Sequence, residues 1–320
     1  MATVGIVANP LAGKDLRRLV THASPTSDAA KVGLVRRAVI GAVEGGATRV
    51  LMSPDNRNLC ERALEGLALK ADVLVLDEPF FSTRLDTTAV AARLRDEGVG
   101  AVIVLGGDGT NRDVAKGWLD IPVVPLSTGT NNVFPVQIEA TVAGHAAGLV
   151  ASGQVPLSLA ADRAKVLHVS FDDGTADDLA LVEVAHIDAG FTGARAVWEA
   201  ARVMAVVAAI AEPASVGLSS LAASMFVVGR HEPGGVAITV GPGVSRRVPL
   251  APGTYATIDI ASAALVDTFS FQGPGVLAFD GERDRVLAAG STATVHIRRD
   301  GPWVINVRRT MCRGVHPHGN

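Results

Sequence analysis

Residues 101–135 run AVIVLGGDGTNRDVAKGWLDIPVVPLSTGTNNVFP, and the way this stretch folds decides the architecture of the first half of the chain. An apolar, largely β-branched run from Ala101 to Leu105 stops at Gly106-Gly107-Asp108-Gly109-Thr110. A segment of helical character follows, Asn111 to Trp118, and a second apolar run, Ile121 to Leu126, ends in Ser127-Thr128-Gly129-Thr130-Asn131-Asn132. The pattern predicts strand, glycine loop, helix, strand and polar loop. Loops that leave neighbouring strands of an open parallel sheet at their carboxyl ends line one crevice, so both polar loops are expected to face one ligand.

Glycine removes the Cβ that holds a phosphate away from the backbone, and the amides of Gly106, Gly107, Gly109 and Thr110 can point at its oxygens beside a helix N-terminus. Asp108 is the odd member. A carboxylate inside an anion-binding loop repels its own ligand unless it contacts magnesium or takes a proton, so Asp108 is a candidate general base or metal contact. The plainer alternative is a tight turn tolerant of glycine.

Working outward to the N-terminus, Thr3 to Ala8 is a short strand that ends at Asn9-Pro10. The next periodic segment begins only near Ala30, so the connection carrying Lys14, Arg17 and Arg18 is long and a candidate functional loop; a solvated loop is the alternative. Helices and strands then alternate: Lys31–Glu44, Arg49–Met52, Arg57–Leu69, Asp72–Leu76, Thr87–Glu97 and Ala101–Leu105. Alternation of this kind specifies a parallel sheet covered by helices. No GxGxxG follows the first strand, so nucleotide binding falls to the later loops. Ala140–Ala151 is a further helix, closed by Gly153, and Pro156 marks a domain boundary.

Toward the C-terminus the period shortens. Lys165–Phe171 and Leu179–Val184 flank Asp172-Asp173-Gly174, a hairpin signal, and six more strands are expected over 236–240, 256–260, 268–271, 276–279, 293–298 and 303–306. The most apolar helix candidate, Ala194–Ala211, is interrupted by Arg195, Glu199 and Arg202 and is too short to span a bilayer. The expected organisation is an α/β nucleotide-binding domain over 1–154, a β-rich substrate domain over 155–310 and a C-terminal tail over 311–320. Ligands commonly sit in the cleft between two such domains.

The chain has 320 residues, 48% of them hydrophobic and 19% charged, and its 29 basic and 32 acidic side chains leave a net charge of -3. No global field marks a nucleic-acid or membrane-surface binder. Cys60 and Cys312 form no disulfide framework and no zinc spacing, and His186, His296, His316 and His318 have no metal spacing either. No signal peptide is evident, and a cytoplasmic address is expected.

The stretch Leu105-Gly106-Gly107-Asp108-Gly109-Thr110 resembles the signature of the superfamily that holds NAD kinases, diacylglycerol and sphingosine kinases and 6-phosphofructokinases. Within it the chain is most similar to the ATP-NAD kinase-like branch associated with acetoin catabolism. The 9–13 segment resembles the NPxSGxG opening of lipid kinases, with Ala12 where Ser is usual. The 125–132 loop resembles their PxGTxND with Thr130 as an extra residue, and Phe279-Asp280-Gly281-Glu282 resembles their DGE motif. Asp-Gly between strands is also the commonest hairpin turn, so that motif keeps two readings.

The resemblance implies an α/β N-terminal domain with a parallel sheet followed by a β-sandwich-like C-terminal domain. It implies ATP as phosphoryl donor, Mg2+, transfer to the 2'-hydroxyl of NAD to give NADP, and a homo-oligomer. Asp108 would take or orient the acceptor's proton, with Asp280 and Glu282 as a second carboxylate cluster that could hold Mg2+. Asn9, Lys14, Gly106, Gly107, Gly109, Thr110, Thr128, Gly129, Thr130, Asn131 and Asn132 would bind the nucleotide and its phosphates, and Glu183 would meet the substrate. The residues themselves add two substrate candidates outside the resemblance: Asn111, which at the start of its helix can cap it or face the ligand, and Arg195, which begins a helix near the cleft and has a solvated arginine as its alternative.

Two departures bear on the acceptor. Asn111 fits neither the NAD kinase nor the lipid kinase pattern, and Val182 stands where NAD kinases carry the Asn of an Asn-Glu pair that holds NAD. Loss of that amide costs on the order of a few kcal/mol where a donor or acceptor is left unmet. The alternatives are therefore a kinase of another hydroxyl, on a lipid or on a small metabolite of acetoin or keto-acid breakdown, and a non-catalytic sensor of NAD or ATP.

Overall fold

The computed structural model describes residues 1–12, 26–78, 80–81, 83–129, 131–188 and 202–315, and of residues 283 and 284 the backbone only. The first strand, β1 (Thr3–Ala8), is buried throughout. Helix α1 (Asp28–Glu44) starts at Ser27, whose Oγ accepts from the Ala30 amide at 3.1 Å, and stops at Gly45. Then come β2 (Arg49–Met52), the short α2 (Leu59–Leu64), β3 (Asp72–Val75) and α3 (Arg84–Asp96), where the Asp86 carboxylate accepts from the Thr83 amide at 2.7 Å. Next are β4 (Ala101–Gly106), α4 (Asp108–Gly117), β5 (Pro122–Ser127) and α5 (Ala140–Ala151).

These strands form a sheet in the order β3-β2-β1-β4-β5, all parallel. Alternating apolar side chains of β1 and β4 bury on both faces, as a doubly covered parallel sheet requires. One face packs on α1 and α5 through Val35, Ala38, Ala143 and Ala147; the other packs on α3 and α4 through Val90, Leu94 and Val114. Helices α1 and α5 approach so closely that a Cβ on Gly41 would stand 2.0 Å from the Thr141 carbonyl oxygen. The strand order reverses between β1 and β4, which opens a crevice at their carboxyl ends.

The second half begins with α6 (Leu157–Ala160) and β6 (Ala161–Arg163), followed by β7 (Val166–Phe171), β8 (Asp178–Ala180), β9 (Glu183–Ile187), β10 (Val203–Ala208) and α7 (Leu218–Ala223). A long hairpin follows, β11 (Gly235–Ala251) and β12 (Thr254–Val266), then β13 (Thr268–Gln272), β14 (Gly275–Phe279), β15 (Glu282–Leu287), β16 (Thr292–Arg298), β17 (Trp303–Ile305) and α8 (Val307–Val315). A six-stranded sheet, β12-β11-β10-β9-β14-β15, and a four-stranded sheet, β13-β16-β7-β8, pack face to face through Val184, Val207, Leu277 and Phe279 against Leu167, Phe271 and Val295. The expected sandwich is present, and α7 covers the outer face of the larger sheet.

Several expectations change. The run read as a helix over 194–211 is strand β10 over Val203–Ala208, and residues 194–201 lie outside the described residues. A short apolar run buried on both sides has no periodicity that tells strand from helix. The expected strand Leu179–Val184 is broken at Leu181-Val182, and the helix expected over 57–69 shrinks to α2, between the left-handed Asn58 and Gly66 at φ 69°.

The chain also crosses the boundaries drawn at 154/155 and 310/311. Strand β17 pairs in parallel with β5, β6 pairs antiparallel with β17, and α8 lies against α5. The N-terminal sheet thus takes strands from both halves of the sequence, and residues 311–315 belong to a helix. Among the described residues, no helix is long and apolar enough to cross a membrane.

Candidate functional site

The loop after β1 and the glycine loop after β4 meet at the sheet's reversal point. The Asn9 amide donates to the Leu105 carbonyl at 3.1 Å, and Asn9 Nδ2 donates to Thr110 Oγ1 at 2.9 Å. Lys31, buried on α1, fastens this loop from below with Nζ 2.5 Å from the Pro10 carbonyl. Gly106 and Gly107 are required by close approach: a Cβ on Gly106 would stand 2.5 Å from Thr110 Cβ, and one on Gly107 would stand 2.9 Å from Asn132 Oδ1. The β4 and β5 loops therefore pack on each other. Asn132 Nδ2 donates to Ser127 Oγ at 2.8 Å, and Ser127 Oγ donates to the Gly129 carbonyl at 2.7 Å.

Asp108 occupies the first turn of α4 and turns its carboxylate toward the chain beyond β5. It accepts from the Phe134 amide at 2.7 Å and from the Val133 amide at 3.1 Å. Burial and the charge of Asp280 raise its pKa to about 7, against the two amides and the Arg230 guanidinium. Asp280 is the first residue of the β14–β15 turn, at φ 48° with Gly281 at φ 81°. Its buried carboxylate accepts from the amides of Leu181, Val182 and Glu183 at 3.0, 2.8 and 3.2 Å. Those amides lie where the strand expected over 179–184 breaks, so the break exists to serve Asp280. Burial moves Asp280 toward the protonated form, opposed by Arg112 and the three amides.

Arg112 connects this pair to the rest of the domain. It is 1% exposed, donates from Nε to the Leu179 carbonyl at 2.6 Å, pairs with Asp178 at 2.9 Å and stacks 4.6 Å over the Phe279 ring. Lys116 reaches the same Asp178 at 3.0 Å. Burial opposes the Asp178 charge, but these cations hold its carboxyl below the usual range. Arg112 points away from the crevice, into the seam between α4 and the β-rich half.

Glu282 crosses that seam. It forms an ion pair with Arg84 at the start of α3, and a Cβ on Gly109 would stand 3.2 Å from Glu282 Oε1. The GGDGT and DGE motifs are thus brought together. Their expected metal role does not fit: Asp280 is taken by three backbone amides and Glu282 by Arg84. Among the described residues, no group of three His, Cys, Asp or Glu could hold a metal ion.

The remaining expected residues divide. Thr128 is buried with its Oγ1 unpartnered among the described residues, an orphan of the kind a ligand oxygen satisfies. Asn111 folds its Nδ2 back on the Gly107 carbonyl at 2.9 Å, so it braces the glycine loop. Asn131 is partly buried beside Asn132. Glu183 is buried at the start of β9. Val182 has its side chain buried with Leu181, Val133, Phe134 and Ile210. Lys14, Thr130 and Arg195 lie outside the described residues.

A cleft of about 520 Å³ opens beside these loops, between Ser127, Asn132 and Gln137 on one wall and Glu212, Ser215 and Arg230 on the other. Its second wall was not legible in sequence: Glu212 and Arg230 belong to no motif, and only the fold sets them opposite the polar loop.

Residues 4–155 match the ATP-NAD kinase N-terminal domain, and residues 165–300 match the Acetoin catabolism protein X C-terminal domain. Among solved structures, yeast NADH kinase in complex with NADH superimposes with a TM-score of 0.52 at 15% identity, covering 98% of this chain and 86% of that one. The fold is therefore that of the NAD kinases. Acetoin catabolism protein X of Cupriavidus necator is 38% identical over 312 residues, 91% of this chain and 86% of the relative. The chain belongs to the acetoin catabolism protein X family.

Proposed function

We propose that this protein is an ATP-dependent phosphotransferase acting on an alcohol group, with Asp108 as the base. The observation that carries the reading is the Asp108 carboxyl itself. It stands at the carboxyl end of the parallel sheet, beside a second buried carboxyl and next to a cleft, with a proton affinity raised to about 7. A general base works best when its pKa lies near the operating pH. As the acceptor oxygen bonds to the γ-phosphorus, its proton passes to Asp108 and the bond to the bridging oxygen breaks, releasing ADP. The glycine-loop amides and Thr128 Oγ1 face the phosphates. Magnesium enters with the nucleotide, on its phosphates, as part of the substrate.

NAD is the acceptor that the NAD kinase fold and the matching N-terminal domain favour, with NADP as product. A second reading has its own observation: Val182 is buried in an apolar cluster, so the amide contact that NAD kinases use at this position is missing. That favours another hydroxyl compound as acceptor. The test is NADP formation by the purified chain with ATP and magnesium, run beside phosphoryl transfer to other hydroxyl compounds. NADP from the wild type supports the first reading; transfer only to another acceptor supports the second; no transfer to any acceptor by a folded protein that binds ATP overturns both.

A further inference from the structure

Val133 and Phe134 are gripped from two sides. Asp108 accepts their amide N–H groups, while the Arg230 guanidinium donates to the Val133 carbonyl and stacks 5.8 Å over the Phe134 ring. This sets a cation within electrostatic reach of the Asp108 carboxyl, on the wall of the cleft. Arg230 is partly buried, and its remaining N–H groups have no acceptor among the described residues. A guanidinium presents five N–H donors in a rigid fork, suited to two oxygens at once. Its charged neighbours are Asp108 and Glu212; neither is hydrogen-bonded to it, and Glu212 Oε1 is engaged by the Ala214 amide at 2.9 Å. A partly buried cation with donors left over in a cleft of ligand size is a prepared anion site.

We infer that Arg230 anchors the acceptor through a phosphate or carboxylate group, which sets the acceptor's hydroxyl toward Asp108 across the Val133–Phe134 segment. The acceptor class is therefore an anionic hydroxyl compound, which excludes neutral lipids such as a diacylglycerol. This rests on the reading that the cleft receives the acceptor. Glu212 repels such an anion, so the site is tuned by two opposing charges, and the two substitutions Arg230→Gln and Glu212→Gln must act in opposite directions.

The test is calorimetric titration of the full chain with inorganic phosphate and, separately, acetate, after saturation with magnesium and a non-hydrolysable ATP analogue to fill the glycine loop. Binding of the analogue checks the nucleotide reading independently. The wild type is expected to bind one of the two anions, and the preferred one tells a phosphate-bearing from a carboxylate-bearing acceptor. Arg230→Gln should weaken that binding by about tenfold or more, Arg230→Lys by less, and Glu212→Gln should tighten it by about threefold or more. If Arg230→Gln fails to fold for want of its Val133 contact, Arg230→Lys carries the test, because it keeps a donor and the charge but loses the fork: folded Arg230→Lys with wild-type affinity for the anion overturns the inference. Neither anion bound by folded wild type, or equal affinity in wild type and Glu212→Gln, overturns the inference.

Discussion

At Asp108, two backbone amides and a guanidinium favour the carboxylate, burial and Asp280 favour the acid, and the second pair wins. The folded pKa, about 7, lies above the unfolded value, so the stability this group contributes is complete at acid pH and lost as pH rises through 7. Asp108→Asn carries no charge at either pH; its melting temperature relative to wild type should rise between pH 5.5 and pH 8, which thermal melts at the two pH values check. Asp280 plays the other part, organising the break in the strand through three amides. Asp280→Asn turns one of those acceptors into a donor and should cost about 2 kcal/mol or more, measured by urea unfolding. Both carboxylates were legible as motifs because each lies in a short glycine-bearing signature. Their division of labour was not, since it depends on which distant amides each one meets, and Arg230 had no local pattern at all.

Among the elements, the contact between α1 and α5 offers a matched pair of substitutions. A Cβ on Gly41 would meet backbone at 2.0 Å, whereas one on Gly33, in the same helix, would find only the far end of Arg37 at 3.5 Å. Gly41→Ala should therefore destabilise by about 3 kcal/mol and Gly33→Ala stabilise by up to about 1 kcal/mol, both read by chemical denaturation. The identical chemical change has opposite signs because one glycine is a packing surface and the other is only a flexible residue. The alternation of helices and strands in the first half was readable from periodicity. Strand β10 was not, because VMAVVA is apolar at every position and buried nearly throughout, and the Leu181-Val182 break has no signal short of knowing where Asp280 lies.

On the scale of the whole molecule, the C-terminal segment closes the N-terminal sheet. Without β17, strand β5 keeps β4 but becomes an edge with no partner on its other side, and without α8 the surface of α5 that it covers is exposed. A fragment of residues 1–154 should therefore lack the cooperative thermal transition of the full chain, and a transition of equal midpoint would show that the returning strand is dispensable. Such a return is invisible in sequence, where pairing between strands so far apart leaves no local trace. It also ties the two halves that together form the site, because Asp108 and the Asp280 turn come from opposite sides of the seam that Arg112 and Glu282 span. Phosphoryl transfer by this joined site, with Asp108 as base, is open to measurement. Its most direct test is the initial rate of NADP formation from NAD and ATP across pH 5.5 to 8.5, in wild type and Asp108→Asn. The wild-type rate should rise through pH 7 and level above it, and the variant should be slower by about 10²- to 10⁴-fold with no such rise. Equal rates in the two proteins, or a wild-type rate that falls as pH rises through 7, would contradict it.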